Sequence, residues 1–283
     1  MKSHVLALAS VLTIGVGIPA AALAADMPVR VLPPPPPICD WCGAYIGFNY
    51  GGSIGQSSTM DNGVLNSAAT GALGIFSETF THDTRGQLVG GQIGYNWQWS
   101  RAWVLGVEVD QQWTNETDTA RLFGCGGTSA GFFGAGGPGF NSCLTDQQKL
   151  SNFGTARARV GYATGDFLWY WTGGAAWGTV NDNLAFGSTA VVGANPLCAG
   201  GVNCGSGGSF SHTMTGWTVG SGVEVKLWSP NWSAKFEYLY VDLGSYIDGV
   251  SQPGNAAGST FAYNTSSHFR DNIVRAGINY RFW

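Results

Sequence analysis

Eight stretches of roughly ten residues alternate apolar with polar or very small side chains, and the connections between them are alternately very short and very long. The first stretch is Ala44 to Gly52 and the last is Asn272 to Phe282. A period of two specifies strands. The short links are Ser100 to Ala102, Thr164 to Asp166 and Ser229 to Asn231. The other four connections run to roughly 25 to 35 residues, far beyond ordinary hairpin loops. Tight turns at one end and large loops at the other are the plan of a small barrel that crosses a membrane with short periplasmic turns and long extracellular loops. The expected fold is therefore an all-β, eight-stranded, antiparallel up-and-down transmembrane barrel.

The amino terminus fits an exported chain. Lys2, Ser3 and His4 precede an apolar run from Val5 to Ile18, and Ala22-Leu23-Ala24 places small residues where a signal peptidase cuts. Pro19 and the alanines after it end the run short of the roughly 20 apolar residues that a membrane helix needs. We expect residues 1–24 to be a signal peptide, 25–42 a Pro-rich periplasmic segment and 43–283 the barrel. Pro33 to Pro37 favour a stiff, extended polyproline conformation in that second segment. No other stretch approaches a helical span, so the mature chain enters a membrane only as strands.

Composition follows from this plan. Charged residues make up 11% of the chain, because half of every strand faces lipid, and aromatic residues make up 13%. Trp97, Trp99, Trp103, Trp169, Trp171, Trp228 and Trp232 collect beside the short turns, where an amphipathic ring suits the headgroup level. A net charge of −4 is too small to point to any partner, and no basic cluster suggests nucleic acid, so no nucleic-acid partner is expected.

Alternation alone leaves open which face points inward, since a soluble barrel would turn its apolar face to the lumen. The export signal and the turn-side tryptophans assign the apolar face to lipid. On that reading Trp103, Leu105, Val107 and Val109 face out, and Glu108 and Asp110 face in. The same parity rule turns Arg157, Arg159, Glu224, Lys235, Glu237 and Arg275 inward, at similar heights above the short turns. An eight-stranded barrel has an interior just wide enough for side chains, so these charges are expected to form a paired network rather than line an open pore.

Six cysteines fall after the signal in three local pairs: Cys39 with Cys42, Cys125 with Cys143, and Cys198 with Cys204. In an exported chain this arrangement reads as disulfides, and a metal site would need more ligands drawn together. No cofactor is expected. His82, His212 and His268 all lie toward the long-loop end, where imidazole could ligate iron, but they are scattered in sequence. No nucleophile, base and acid arrangement suggests an enzyme.

Several segments resemble the small outer-membrane β-barrel proteins of alphaproteobacteria, the surface-antigen barrels called porin-family proteins. The resemblance is carried by Gly43 to Gly47, Gly91 to Asn96, Gly106 to Asp110, Thr155 to Gly161, Gly216 to Glu224, Lys235 to Gly244 and Val274 to Phe282. It implies a non-enzymatic outer-membrane protein of structural or surface role, some relatives being described as small-solute channels or haem binders. It also implies outer-membrane lipid and the outer-membrane assembly machinery as partners, with peptidoglycan or surface ligands as further candidates. Tyr280 and Phe282 resemble the aromatic signal by which that machinery recognises a last strand, although Trp283 follows here.

Overall fold

A computed structural model describes residues 39–67, 72–122, 140–190, 204–253 and 260–282. They form one antiparallel sheet of nine strands: β1 (Gly43–Ser67), β2 (Ala72–Gln98), β3 (Trp103–Thr114), β4 (Thr117–Leu122), β5 (Phe140–Thr164), β6 (Phe167–Ala190), β7 (Cys204–Lys226), β8 (Trp232–Pro253) and β9 (Thr260–Phe282). Strands β3 and β4 both pair with β2 on one side and β5 on the other, so they are two halves of one stave. The sheet closes through β1 against β9, from Ala44 opposite Phe282 to Asn66 opposite Thr260. Eight staves thus make a closed ring through the lipid-spanning level, where each strand is paired on both sides; above it the β7–β8 ladder stops at Trp217 opposite Asp242.

The alternation assigns the faces as the sequence implies. Along β3 the odd residues from Trp103 to Val109 are exposed and the even residues from Val104 to Asp110 are buried. The exposed tryptophans Trp97, Trp99, Trp103, Trp169, Trp171, Trp228 and Trp232 ring the short-turn end. Trp113 marks the far side of the apolar band on β3. Ten residues at 3.3 Å each, tilted by about 40°, span about 25 Å, the height of the apolar belt of an outer-membrane barrel.

The strands run well past that belt. β1 continues to Ser67 and β2 begins at Ala72, so most of the first long connection is strand. Ile75 pairs with Val64 and Thr81 with Ser58 in the same ladder, so residues 75–81 belong to β2 itself. Above the belt, water replaces lipid and the outward positions become Thr81, Asp83, Arg85 and Gln87. The apolar half of the alternation disappears while the hydrogen-bond ladder continues.

Two irregularities sit at this level. The register shifts between Leu150 and Asn152 on β5, and between Asp242 and Gly244 on β8. Gly244 takes φ of 81° and its N–H donates to Asp242 Oδ1 at 2.9 Å, so the bulge needs a residue tolerant of positive φ. Each shift exchanges the inward parity. On β5 the buried set Phe153, Thr155, Arg157 and Arg159 gives way to Leu150, Gln148 and Asp146. On β8 the set Lys235, Glu237, Leu239 and Val241 gives way to Tyr246 and Asp248.

Candidate functional site

The lumen is filled in layers. At the periplasmic mouth, Trp41 turns into the barrel and is fully buried with Val104, Ala163, Leu168 and Tyr170. Its backbone N–H donates to Gln98 Oε1 at 3.0 Å, and Arg281 and Lys226 lie over its ring at 4.7 and 5.2 Å from the centroid. Arg281 also donates to the Asp40 carbonyl at 2.6 Å. A disulfide between Cys39 and Cys42 closes the short loop that presents Trp41. The end of the Pro-rich segment is therefore a plug packed into the barrel. Cys125 and Cys198 lie outside the described residues, as do the side chains of Cys143 and Cys204.

The next layer holds the inward charges. Arg157 is the hub: it bonds Glu108 at 2.5 Å, Asp110 at 2.9 Å and Glu237 at 2.9 Å. Arg275 reaches Asp110 at 2.9 Å and Glu237 at 2.6 Å. Lys235 bonds Glu108 at 2.9 Å, and Arg159 bonds Glu224 at 3.1 Å. Four cations thus meet four carboxylates, all buried, so the layer is neutral and its charges are paired. Cross-strand neighbours account for Glu108 with Arg157 and Glu237 with Arg275. The contacts Arg157 to Glu237 and Arg275 to Asp110 cross the lumen between strands that are not neighbours, so strand adjacency alone does not predict them.

Residues outside the charged set complete the layer. Tyr45 Oη donates to Glu108 at 2.7 Å and Tyr170 Oη to Glu237 at 3.1 Å, and the two rings lie on Arg159 at 5.1 and 4.9 Å. Thr155 donates to Asp110 at 2.7 Å, Ser233 to Glu224 at 2.5 Å and Asn279 Nδ2 to Glu224 at 3.0 Å. All lie on the inward parity of their strands, which was the available signal; polar but uncharged residues simply stood out less there.

Above the charges lies an apolar layer of Leu88, Leu150, Phe153, Val180, Met214, Leu239, Val241, Leu243, Phe269 and Ile273. Over it is a polar chamber beyond the lipid belt. His82, fully buried, bonds Asp118 at 3.2 Å and Asp146 at 3.3 Å. Burial alone would lower its pKa, but those carboxylates raise it. Tyr246 donates to Asp182, accepts from Gln148 Nε2 at 2.8 Å and stacks on His212 at 5.1 Å. Burial, with the charges of Asp146 and Asp248, pushes the Asp182 carboxyl up to about 6. His212 pairs with Asp248 at 2.5 Å and His268 with Asp242 at 2.9 Å. The three histidines thus lie within strands, each beside a carboxylate.

Tyr280 and Phe282 point outward on β9 and pack edge to face at 5.2 Å, with Tyr280 also against Trp232 at 5.1 Å. They belong to the aromatic ring at the short-turn end, beside the β1–β9 seam.

A closed ring of amphipathic strands, apolar outside and aromatic at the belt's lower edge, defines an outer-membrane β-barrel. The chain belongs to the family described as Outer membrane protein beta-barrel domain, matched over residues 20–282, and it resides in the outer membrane. It is 33% identical over 297 aligned residues, covering all of both chains, to the 31 kDa outer-membrane immunogenic proteins of Brucella melitensis biotype 1 and Brucella suis biovar 1. Among solved structures it is similar to Ail, the attachment invasion locus protein of Yersinia pestis, at 12% identity and a TM-score of 0.30, covering 81% of this chain and 99% of that one.

Proposed function

We propose that this protein is a non-enzymatic, closed barrel that reinforces the outer membrane and presents its rim at the cell surface. The filled lumen carries the reading. A solute would have to displace the Trp41 plug, break a neutral network of buried ion pairs and pass an apolar layer, and each is costly to open. The outer-membrane immunogenic proteins at 33% identity favour a surface-exposed role. A small-solute channel is the competing reading. Deletion of the gene separates them. A closed, reinforcing barrel predicts greater sensitivity of the envelope to detergent with unchanged uptake of small hydrophilic solutes; reduced uptake with an intact envelope would favour the channel.

A further inference from the structure

Above the lipid belt the barrel wall parts between β7 and β8. Their ladder ends at Trp217 opposite Asp242, where the Trp217 ring packs on Tyr240 at 5.5 Å. The strands still touch there, since a Cβ at Gly216 would strike the Asp242 carbonyl. The bulge at Asp242/Gly244 follows at once, and β8 leaves the ladder. From that level β7 pairs with β6 alone, from Gly216 opposite Ala176 to Cys204 opposite Ser188. Likewise β8 pairs with β9 alone, from Gly244 opposite Phe269 to Pro253 opposite Thr260. In an antiparallel strand alternate residues aim both peptide groups to the same side, so each edge presents a row of N–H and C=O groups with no strand partner.

Among the described residues the slit is spanned by side chains: His212 Nε2 lies 2.5 Å from Asp248 Oδ1, and its ring stacks on Tyr246 at 5.1 Å. A second parting, between β2 and β4 above Arg85 opposite Thr117, offers a shorter edge, because β4 ends at Leu122. There the Asp83 N–H is taken by Asp118 Oδ2 at 3.2 Å. The longer slit has two faces of different chemistry. Inside, Asp248 is buried with no hydrogen-bond partner for its Oδ2, and Asp182 and Asp146 are buried on β6 and β5. The buried lysine and arginines, Lys235, Arg157, Arg159, Arg275 and Arg281, all lie in the layers below. Outside, Ile247 is 75% exposed beyond the reach of lipid.

We propose that the slit between β7 and β8 docks an extended peptide as an added strand, with basic residues on the parity that faces the chamber and apolar residues on the parity beside Ile247. Free sheet edges bind such segments through main-chain bonds, and the alternating side chains give specificity. The edge from Gly244 to Pro253 accommodates a strand of about ten residues. An inward lysine or arginine would meet Asp248 and Asp182 and supply the positive charge that the upper chamber is short of. The proposal rests on the surface role given above and names the class of partner for it; it does not depend on whether the lumen is shut.

The test is fluorescence anisotropy of a labelled peptide of about ten residues, alternating Lys and Val, with the refolded full chain in nonionic detergent. Heat-modifiable gel mobility checks folding. We expect about one peptide per barrel. An isomer with all its lysines before all its valines, and the alternating peptide with its peptide nitrogens methylated, should each bind at least about 10-fold more weakly. Ile247→Ser, at an exposed position that keeps the fold, and Asp248→Asn should each weaken binding by about 10-fold. No binding up to about 1 mM peptide overturns the proposal, and a wild type that takes up no peptide but sediments as a dimer shows that the edges pair between copies instead. Equal binding of the two isomers, or of the methylated peptide, overturns it by reducing the interaction to charge. Unchanged affinity in folded Ile247→Ser places the peptide elsewhere and overturns it too, whether or not Asp248→Asn folds. Each of these failures leaves the closed lumen standing, because conductance, not peptide binding, reports on that.

Discussion

Replacing Arg157 with methionine keeps the length of the side chain and removes one charge from the centre of the lumen. Arg157 makes three charge-assisted contacts, to Glu108, Asp110 and Glu237. At about 1.5–3 kcal/mol each these would sum to between about 5 and 9 kcal/mol if nothing compensated. Compensation is visible in the structure. Glu108 keeps Lys235 at 2.9 Å, Asp110 keeps Arg275 at 2.9 Å, and Glu237 keeps Arg275 at 2.6 Å. No carboxylate is orphaned, but the layer goes from neutral to one net negative charge. The expected loss is therefore nearer the about 3–5 kcal/mol of a broken buried pair. Glu108→Gln removes the surplus charge, so Arg157→Met with Glu108→Gln should be more stable than the sum of the single changes by about 2 kcal/mol. Urea unfolding in detergent, followed by tryptophan fluorescence and by gel mobility without boiling, measures all four proteins. Single changes that each stay within about 0.5 kcal/mol of wild type and simply add would mean that water screens these charges, and the dry, paired interior would be wrong.

Trp41→Ala empties the periplasmic plug, and a fully buried tryptophan should cost about 3–5 kcal/mol in the same unfolding assay; a neutral result would show that the plug does not hold in solution. Asp182 sets a pH dependence beyond the belt. Its carboxyl is raised to about 6, so the folded chain holds that proton more tightly than the unfolded chain, whose aspartate titrates near its ordinary value. Its contribution is thus fully present at low pH and is lost as the pH rises from about 4 to about 6, on the order of 3 kcal/mol. Asp182→Asn should accordingly be more stable than wild type at pH 8 and lose its advantage at pH 4, and equal unfolding midpoints at both would refute the assignment.

The lipid-spanning half of the barrel was legible because its two faces differ in chemistry. On β3, lipid demands Trp103, Leu105, Val107 and Val109 while the lumen takes Glu108 and Asp110, and the alternation cannot be missed. The upper half was hidden for the opposite reason. Thr81 and Asp83 face water while His82 and Thr84 face a polar lumen, so both parities carry the same residue types. The shifts at Leu150/Asn152 and Asp242/Gly244 then swap parity without any turn-like sequence to announce it. Within the candidate site, Glu108 and Arg157 could be paired from strand adjacency, but Arg275 with Asp110 depends on the diameter of the lumen. Trp41 escaped notice because it precedes the first alternating strand, and its role appears only once the mouth formed by Arg281, Lys226 and Gly165 is closed around it.

The central claim is that the lumen is shut, and planar-bilayer recording of the refolded full chain tests it most directly. A closed barrel predicts insertion, shown by heat-modifiable mobility of protein recovered from the bilayer lipid, with no discrete current steps across the working voltage range. Reproducible unitary steps from folded wild-type protein would contradict the account and make this chain a channel.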